Sequence, residues 1–207
     1  MKYNYIAIEG NIGVGKTTLS GLIARESNYK LILEEFEENH FLPLFYEHKE
    51  RYAFHTEISF LIQRFEQLMI QKKTGQNIIA DYYFMKTLIF AKNNLTEIEF
   101  DLFSKLYKNL KDALPTPDLI VFLHRPAKIL INNIHRRGRD FERNITLEYL
   151  VQIENQYLEY IEKEKSNLRI LNFNIDNTDF LNDPNQFKKI YKKLKLNYPI
   201  GITQINI

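Results

Sequence analysis

The run Gly10-Asn11-Ile12-Gly13-Val14-Gly15-Lys16-Thr17 carries the most specific chemistry in this chain. It fits G-x-x-x-x-G-K-[ST], directly after an apolar strand-like segment and at the opening of a helical one. Glycines let the backbone turn so that successive N–H groups face phosphate oxygens. A lysine at position 16 can neutralise the β- and γ-phosphates, and a hydroxyl at Thr17 can ligate Mg²⁺. The helix N-terminus that begins there, with Thr18 in its first turn, adds partial positive charge. These residues imply a bound nucleoside triphosphate such as ATP, but they leave the phosphate acceptor open. No N-K-x-D or D-x-x-G element accompanies them, which argues against a GTPase switch.

Other groups able to do chemistry are scattered along the chain. Glu34, Glu35, Glu37 and Glu38 follow a short apolar strand, and Asp81 ends another. Arg136, Arg137 and Arg139 surround Gly138, with Glu142 just beyond. Glu57 and Arg64 are seven residues apart, so on a helix they point nearly the same way.

The elements that must position these groups alternate. Strand-like segments are Tyr5–Ile8, Leu31–Leu33, Ile78–Ala80, Leu119–Leu123 and Leu168–Phe173. Most are apolar without alternation, as parallel strands buried on both faces are. Helical segments lie between them, at Lys16–Glu26, Arg51–Lys72, Phe100–Leu110, Ala127–Arg136, Leu147–Lys165 and Asn185–Lys195. The alternation implies a doubly wound α/β fold with ligands at the C-terminal strand ends.

With 207 residues, 44% of them hydrophobic, and no repeat or linker, one domain over residues 1–207 is expected. A net charge of +2 gives no global field for nucleic acid or an anionic membrane. The basic stretch Lys188–Lys193 reads as the solvated face of the last helix. The absence of cysteine excludes disulfides, thiol nucleophiles and zinc–thiolate sites. The first residues lead straight into a strand and no apolar run spans a bilayer, so a cytoplasmic location without membrane contact is expected.

An ordered set of fragments resembles the deoxyribonucleoside kinase family, and within it the bacterial deoxyguanosine kinases. The set comprises Ile8-Glu9-Gly10 with the phosphate loop, Leu33 to Asn39, Leu44 to Glu47, Glu50 to Phe54, Ile79 to Tyr82, Arg136 to Glu142 and Asp176 to Phe180. The resemblance implies a P-loop kinase fold: a five-stranded parallel sheet wrapped by helices, with an Arg-rich lid at about 136–144. It implies Glu34 as catalytic base toward a 5′-hydroxyl, with Glu35 as competitor because the family usually has Pro there. Asp81 falls where the family places an acid near Mg²⁺ and the 5′-hydroxyl, so Thr17 and Asp81 are the metal groups. Tyr82 replaces the Arg that many members carry next, which leaves open what steadies the 5′-oxygen. Arg137 and Arg139 match the lid, while the family's earlier lid Arg falls near Asn133. Tyr46 and Glu142 match groups that grip the 3′-hydroxyl, and a Tyr ring there suits a deoxyribose. Asp176, Asn177, Thr178, Asp179 and Phe180 match the loop that wraps the donor adenine, and the family is commonly dimeric.

The base pocket departs from the family. Its helical face carries Glu57 where most members have Gln. An ionised carboxylate only accepts, and guanine presents two adjacent donors, N1–H and the 2-amino group. Lys86 stands where members that bind amino-bearing bases have Asp; Lys86 or Arg64 could then donate to guanine O6. The expected reaction is ATP-dependent phosphorylation of a purine deoxynucleoside, deoxyguanosine first, with Mg²⁺. A deoxyadenosine or broad deoxynucleoside kinase is the nearest alternative. A nucleoside monophosphate kinase would need cations where this chain has Glu34 to Glu38. A nucleotide-binding regulatory module would not need base, lid and metal groups together.

Overall fold

The structure, a computed structural model, describes residues 1–176 and 178–206. Six parallel strands form one sheet in the order β2-β3-β1-β4-β5-β6. They are β1 (Tyr5–Gly10), β2 (Lys30–Ile32), β3 (Ile78–Ala80), β4 (Leu119–His124), β5 (Arg169–Asn174) and β6 (Gly201–Asn206). The five expected strands are present, and the expected count of five is corrected to six. Strand β6 pairs with β5 along its whole length, from Arg169↔Gly201 to Asn174↔Asn206. Its sequence Gly-Ile-Thr-Gln-Ile-Asn is half polar because it forms the sheet edge, where one side and much of each face meet water.

The helices are α1 (Lys16–Arg25), α2 (Phe41–Glu47), α3 (Lys49–Lys72), α4 (Met85–Asn94), α5 (Glu97–Lys111), α6 (Ala127–Arg137), α7 (Leu147–Glu164) and α8 (Pro184–Leu194). Sequence periodicity anticipates six of them and misses α2 and α4. Helix α2 is only seven residues long, and α4 is buried on most sides, so neither shows a one-sided stripe. Capping is explicit at α5, where Thr96 and Glu99 form a reciprocal box, and at α8, where Asp183 caps and Pro184 opens the helix.

Strand alternation divides the core into two layers. Ile6 and Ile8 point toward Leu19, Ile23, Leu130 and Ile190 of α1, α6 and α8. Ala7, Ile120 and Phe122 point toward Leu61, Leu68, Phe103 and Tyr157 of α3, α5 and α7. A smaller cluster of Leu42, Phe45, Ala53 and Phe60 seats α2 on α3. Because the chain builds β2 and β3 on one side of β1 and then crosses to β4 on the other, a crevice opens beyond the C-terminal ends of these strands. The phosphate loop lies in that crevice.

Candidate active site

Three glycines shape the loop after β1. Gly10, Gly13 and Gly15 have φ of 140°, 79° and 104°. A Cβ on Gly10 would sit 2.5 Å from the Leu123 carbonyl oxygen, and one on Gly15 would sit 2.9 Å from the Phe180 ring. Asn11 ties the loop to the body of the protein: Nδ2 donates to the Leu150 carbonyl at 2.7 Å, and Oδ1 accepts from Ile12 N–H at 2.8 Å. Lys16 Nζ folds back to the carbonyls of Gly10 and Asn11, both at 2.9 Å. Burial, with repulsion from Lys86, draws this ammonium down to about 8. A triphosphate would reverse that shift by supplying negative charge.

Asp81, at the end of β3, links loop and acidic turn. Its Oδ2 accepts from Thr17 Oγ1 at 2.6 Å and its Oδ1 from Glu34 N–H at 2.8 Å. A hydroxyl and one carboxylate beside a phosphate cradle suit Mg²⁺, which keeps waters and takes most other ligands from phosphate. Among the described residues, no group of three or more His, Cys, Asp or Glu side chains is placed to hold a metal ion.

Glu34 and Glu35 diverge. Glu34 lines the main cavity, with Arg64 on Oε1 and Lys86 Nζ on Oε2 at 2.5 Å. Burial raises its carboxyl, but Lys86 and Arg64 outweigh burial and hold it well below the usual carboxylate range. Glu35 is exposed and accepts from Gln67 at 2.9 Å, outside the cavity. The two cations anticipated for guanine O6 thus engage the carboxylate instead; Arg64 Nη1 turns to Thr87 at 2.9 Å. Tyr82 is buried and its hydroxyl donates to Gln67.

The lid follows α6. Gly138, at φ 73°, turns the chain so that Arg137 and Arg139 both reach Glu142, at 2.5 and 3.3 Å. Arg139 also lies 3.7 Å above the Phe36 ring. Both arginines line the main cavity and a neighbouring hollow beside the phosphate loop. Arg136 lines only that hollow, and Asn133 Nδ2 donates to the Gly13 carbonyl at 3.0 Å. Tyr46 stacks near Phe141 (6.1 Å between ring centres, 21° between planes) beside Glu142. The same hollow includes Asp176, Thr178, Asp179 and Phe180; Asn177 lies outside the described residues.

At the far end of the cavity, Glu57 is buried, 2% exposed. Asn94 Nδ2 donates to its Oε1 at 2.7 Å, while Oε2 has no hydrogen-bond partner. Burial pushes this carboxyl up to about 7. Sequence reasoning missed Asn94, the cavity rings Phe60, Phe90 and Tyr149, and Arg125, which holds the donor loop through the Ile175 and Thr178 carbonyls. Of these, only Arg125 carried a signal: a cation directly after a buried strand whose end meets the crevice.

Residues 6–197 match the family model for deoxynucleoside kinase. The chain belongs to the deoxynucleoside kinase family. The kinase is 33% identical to the deoxyguanosine kinase of Bacillus subtilis (strain 168), over 92% of this chain and 96% of that one. It is 28% identical to the deoxyadenosine/deoxycytidine kinase of the same organism, over 93% and 92%. Among solved structures, deoxyadenosine kinase from M. mycoides with bound dATP superposes with a TM-score of 0.79 at 28% identity, covering 93% of the kinase and 99% of that chain.

Proposed function

We propose that this kinase transfers the γ-phosphoryl group of ATP to the 5′-hydroxyl of deoxyguanosine, giving dGMP. The observation that carries the base assignment is Glu57: a buried carboxyl in the cavity wall with one oxygen lacking a partner. Such an atom is costly unless a ligand supplies a donor. Guanine supplies two adjacent donors, whereas adenine and cytosine offer a ring-nitrogen lone pair to the same carboxylate. The similarity to a deoxyguanosine kinase agrees with this choice.

In the reaction, Glu34 receives the 5′-hydroxyl and orients its oxygen toward the γ-phosphorus. Its low basicity, set by Lys86 and Arg64, is compatible with a loose transition state in which the proton leaves late. Lys16, Arg137 and Arg139 stabilise charge on the transferring group. Thr17 and Asp81 would hold Mg²⁺, which supplies charge neutralisation of the phosphate oxygens when bound. Tyr46 and Glu142 would meet the 3′-hydroxyl side of the sugar. Asp176 to Phe180 would wrap the adenine of ATP. We assign the kinase a homodimer, consistent with exposed Ile98, Leu102 and Leu106 along one face of α5, a stripe a second copy would cover.

A panel of the four deoxynucleosides, with dGMP and dTMP as controls, tests the assignment. Deoxyguanosine should exceed deoxyadenosine and deoxycytidine in kcat/KM by at least roughly a hundredfold, because a buried polar site rejects mismatched donors and acceptors. A preference for deoxyadenosine would overturn the base assignment. Turnover of dGMP in its place would overturn the nucleoside acceptor.

A further inference from the structure

We propose that Asn94 is a positioning residue that holds Glu57 in its acceptor-only form and thereby sets the choice between guanine and adenine. The proposal rests on the guanine reading of Glu57. Asn94 ends α4, half-buried at the cavity wall, and Glu57 lies across from it on α3. Its amide is oriented from the other side, since Asn93 Nδ2 donates to Asn94 Oδ1 at 3.2 Å. With Oδ1 so engaged, Nδ2 faces Glu57 Oε1 at 2.7 Å. It is the one hydrogen-bond donor to Glu57 among the described residues.

The other charged and titratable groups around Glu57 are fixed elsewhere. Arg64 on α3 and Lys86 on α4 bind Glu34, whose own charge opposes theirs at Glu57. Lys49, at the start of α3, sits 5.0 Å from the centre of the Tyr149 ring. Tyr46 from α2 and Tyr149 from α7 are buried phenols and stay neutral. The Asn94 amide is the largest of the influences that favour the carboxylate over the carboxyl; Arg64 and Lys86 add to it and Glu34 opposes them.

The two forms of Glu57 suit different bases. A carboxylate accepts from N1–H and the 2-amino group of guanine. A neutral carboxyl has one donor and one acceptor, which matches adenine N1 and its 6-amino group. Because burial brings Glu57 up to about 7, loss of one donor tips the balance toward the neutral carboxyl at neutral pH.

The test measures kcat/KM for deoxyguanosine and deoxyadenosine between about pH 5.5 and 8.5, which reports groups of the free enzyme. In wild type the ratio of deoxyguanosine to deoxyadenosine should rise with pH, with a midpoint near 7. Asn94→Leu should move that midpoint upward by about one pH unit and lower the ratio near pH 7 by up to roughly tenfold. Asn94→Ser, smaller and still able to donate, should fall between, and it serves as the comparison if the leucine variant does not fold. A merely structural role would lower both substrates together and leave the midpoint in place. A variant midpoint equal to that of wild type, with wild type still preferring deoxyguanosine, overturns the role of Asn94. Preference for deoxyadenosine at every pH overturns the guanine reading instead.

Discussion

Arg64 grips Glu34 by two nitrogens at once: Nε at 2.9 Å and Nη2 at 2.5 Å both donate to Oε1. The side chains come from α3 and from the turn after β2, thirty residues apart. Both donors meet one oxygen, and Lys86 Nζ on Oε2 completes the hold on the carboxylate's charge and orientation. Glu34 is consequently held ionised and oriented before any substrate enters.

Glu34→Gln removes the proton acceptor and one of the charges that this network balances. It should lower kcat by roughly 10²–10⁴-fold with the fold retained. Glu35→Gln should leave kcat within about threefold, because Glu35 lies on the exposed side and bonds Gln67. Steady-state kinetics on both variants, with circular dichroism as the folding control, checks the pair. Equal losses would remove Glu34 from its assigned role.

Lys86→Asp places a carboxylate beside Glu34 where an ion pair stood. From sequence alone this change, added to Glu57→Gln, should push the preference further toward bases that carry an amino group. The structure changes the expectation: kcat should fall for every deoxynucleoside by roughly tenfold or more, since Arg64 alone would then face two buried carboxylates. A changed base preference at undiminished kcat would return Lys86 to the base pocket.

Glu57→Gln restores a donor at the free end of the cavity. It should weaken deoxyguanosine and narrow the gap to deoxyadenosine by roughly 10–100-fold. Deoxyinosine keeps N1–H and O6 but lacks the 2-amino group, so with wild type it should fall between the two. An unchanged preference in Glu57→Gln would show that the base is read elsewhere.

Arg137 and Arg139 line both the main cavity and the hollow beside the phosphate loop, so the two adjoin. A deoxynucleoside triphosphate with its base at Glu57 and its phosphates in the loop would occupy both. Inhibition by dGTP should therefore be competitive toward deoxyguanosine, as initial-rate measurements at several inhibitor concentrations would show. Non-competitive behaviour toward deoxyguanosine excludes this arrangement.

Two glycines should respond oppositely to alanine. At Gly10, φ is 140° and the new Cβ would lie 2.5 Å from a backbone oxygen, so Gly10→Ala should lower Tm by several degrees and abolish ATP binding. Gly21, inside α1, has open space around its Cβ direction, and Gly21→Ala should stabilise by about 0.5–1 kcal/mol. Calorimetry distinguishes the two signs directly.

The phosphate loop was legible in the sequence because its chemistry is contiguous: glycines, lysine and threonine act through their own backbone and an adjoining helix. Buried parallel strands were legible for a similar reason, since each declares itself by a short apolar run. Strand β6 was not, because its sequence is half polar and it is recognised by its pairing with β5 rather than by an apolar run. Glu34, Asp81 and the lid arginines were identified through resemblance, and the fold places them around one cavity. What tertiary structure alone decided is how the charges pair. Sequence offered Lys86 and Arg64 to a base, and folding brought both to Glu34, because α3, α4 and the turn after β2 converge at one point. The same convergence leaves Glu57 with Asn94 and one free oxygen. Pairing among side chains thirty to fifty residues apart depends on distances of a few ångströms, and no local pattern encodes those distances.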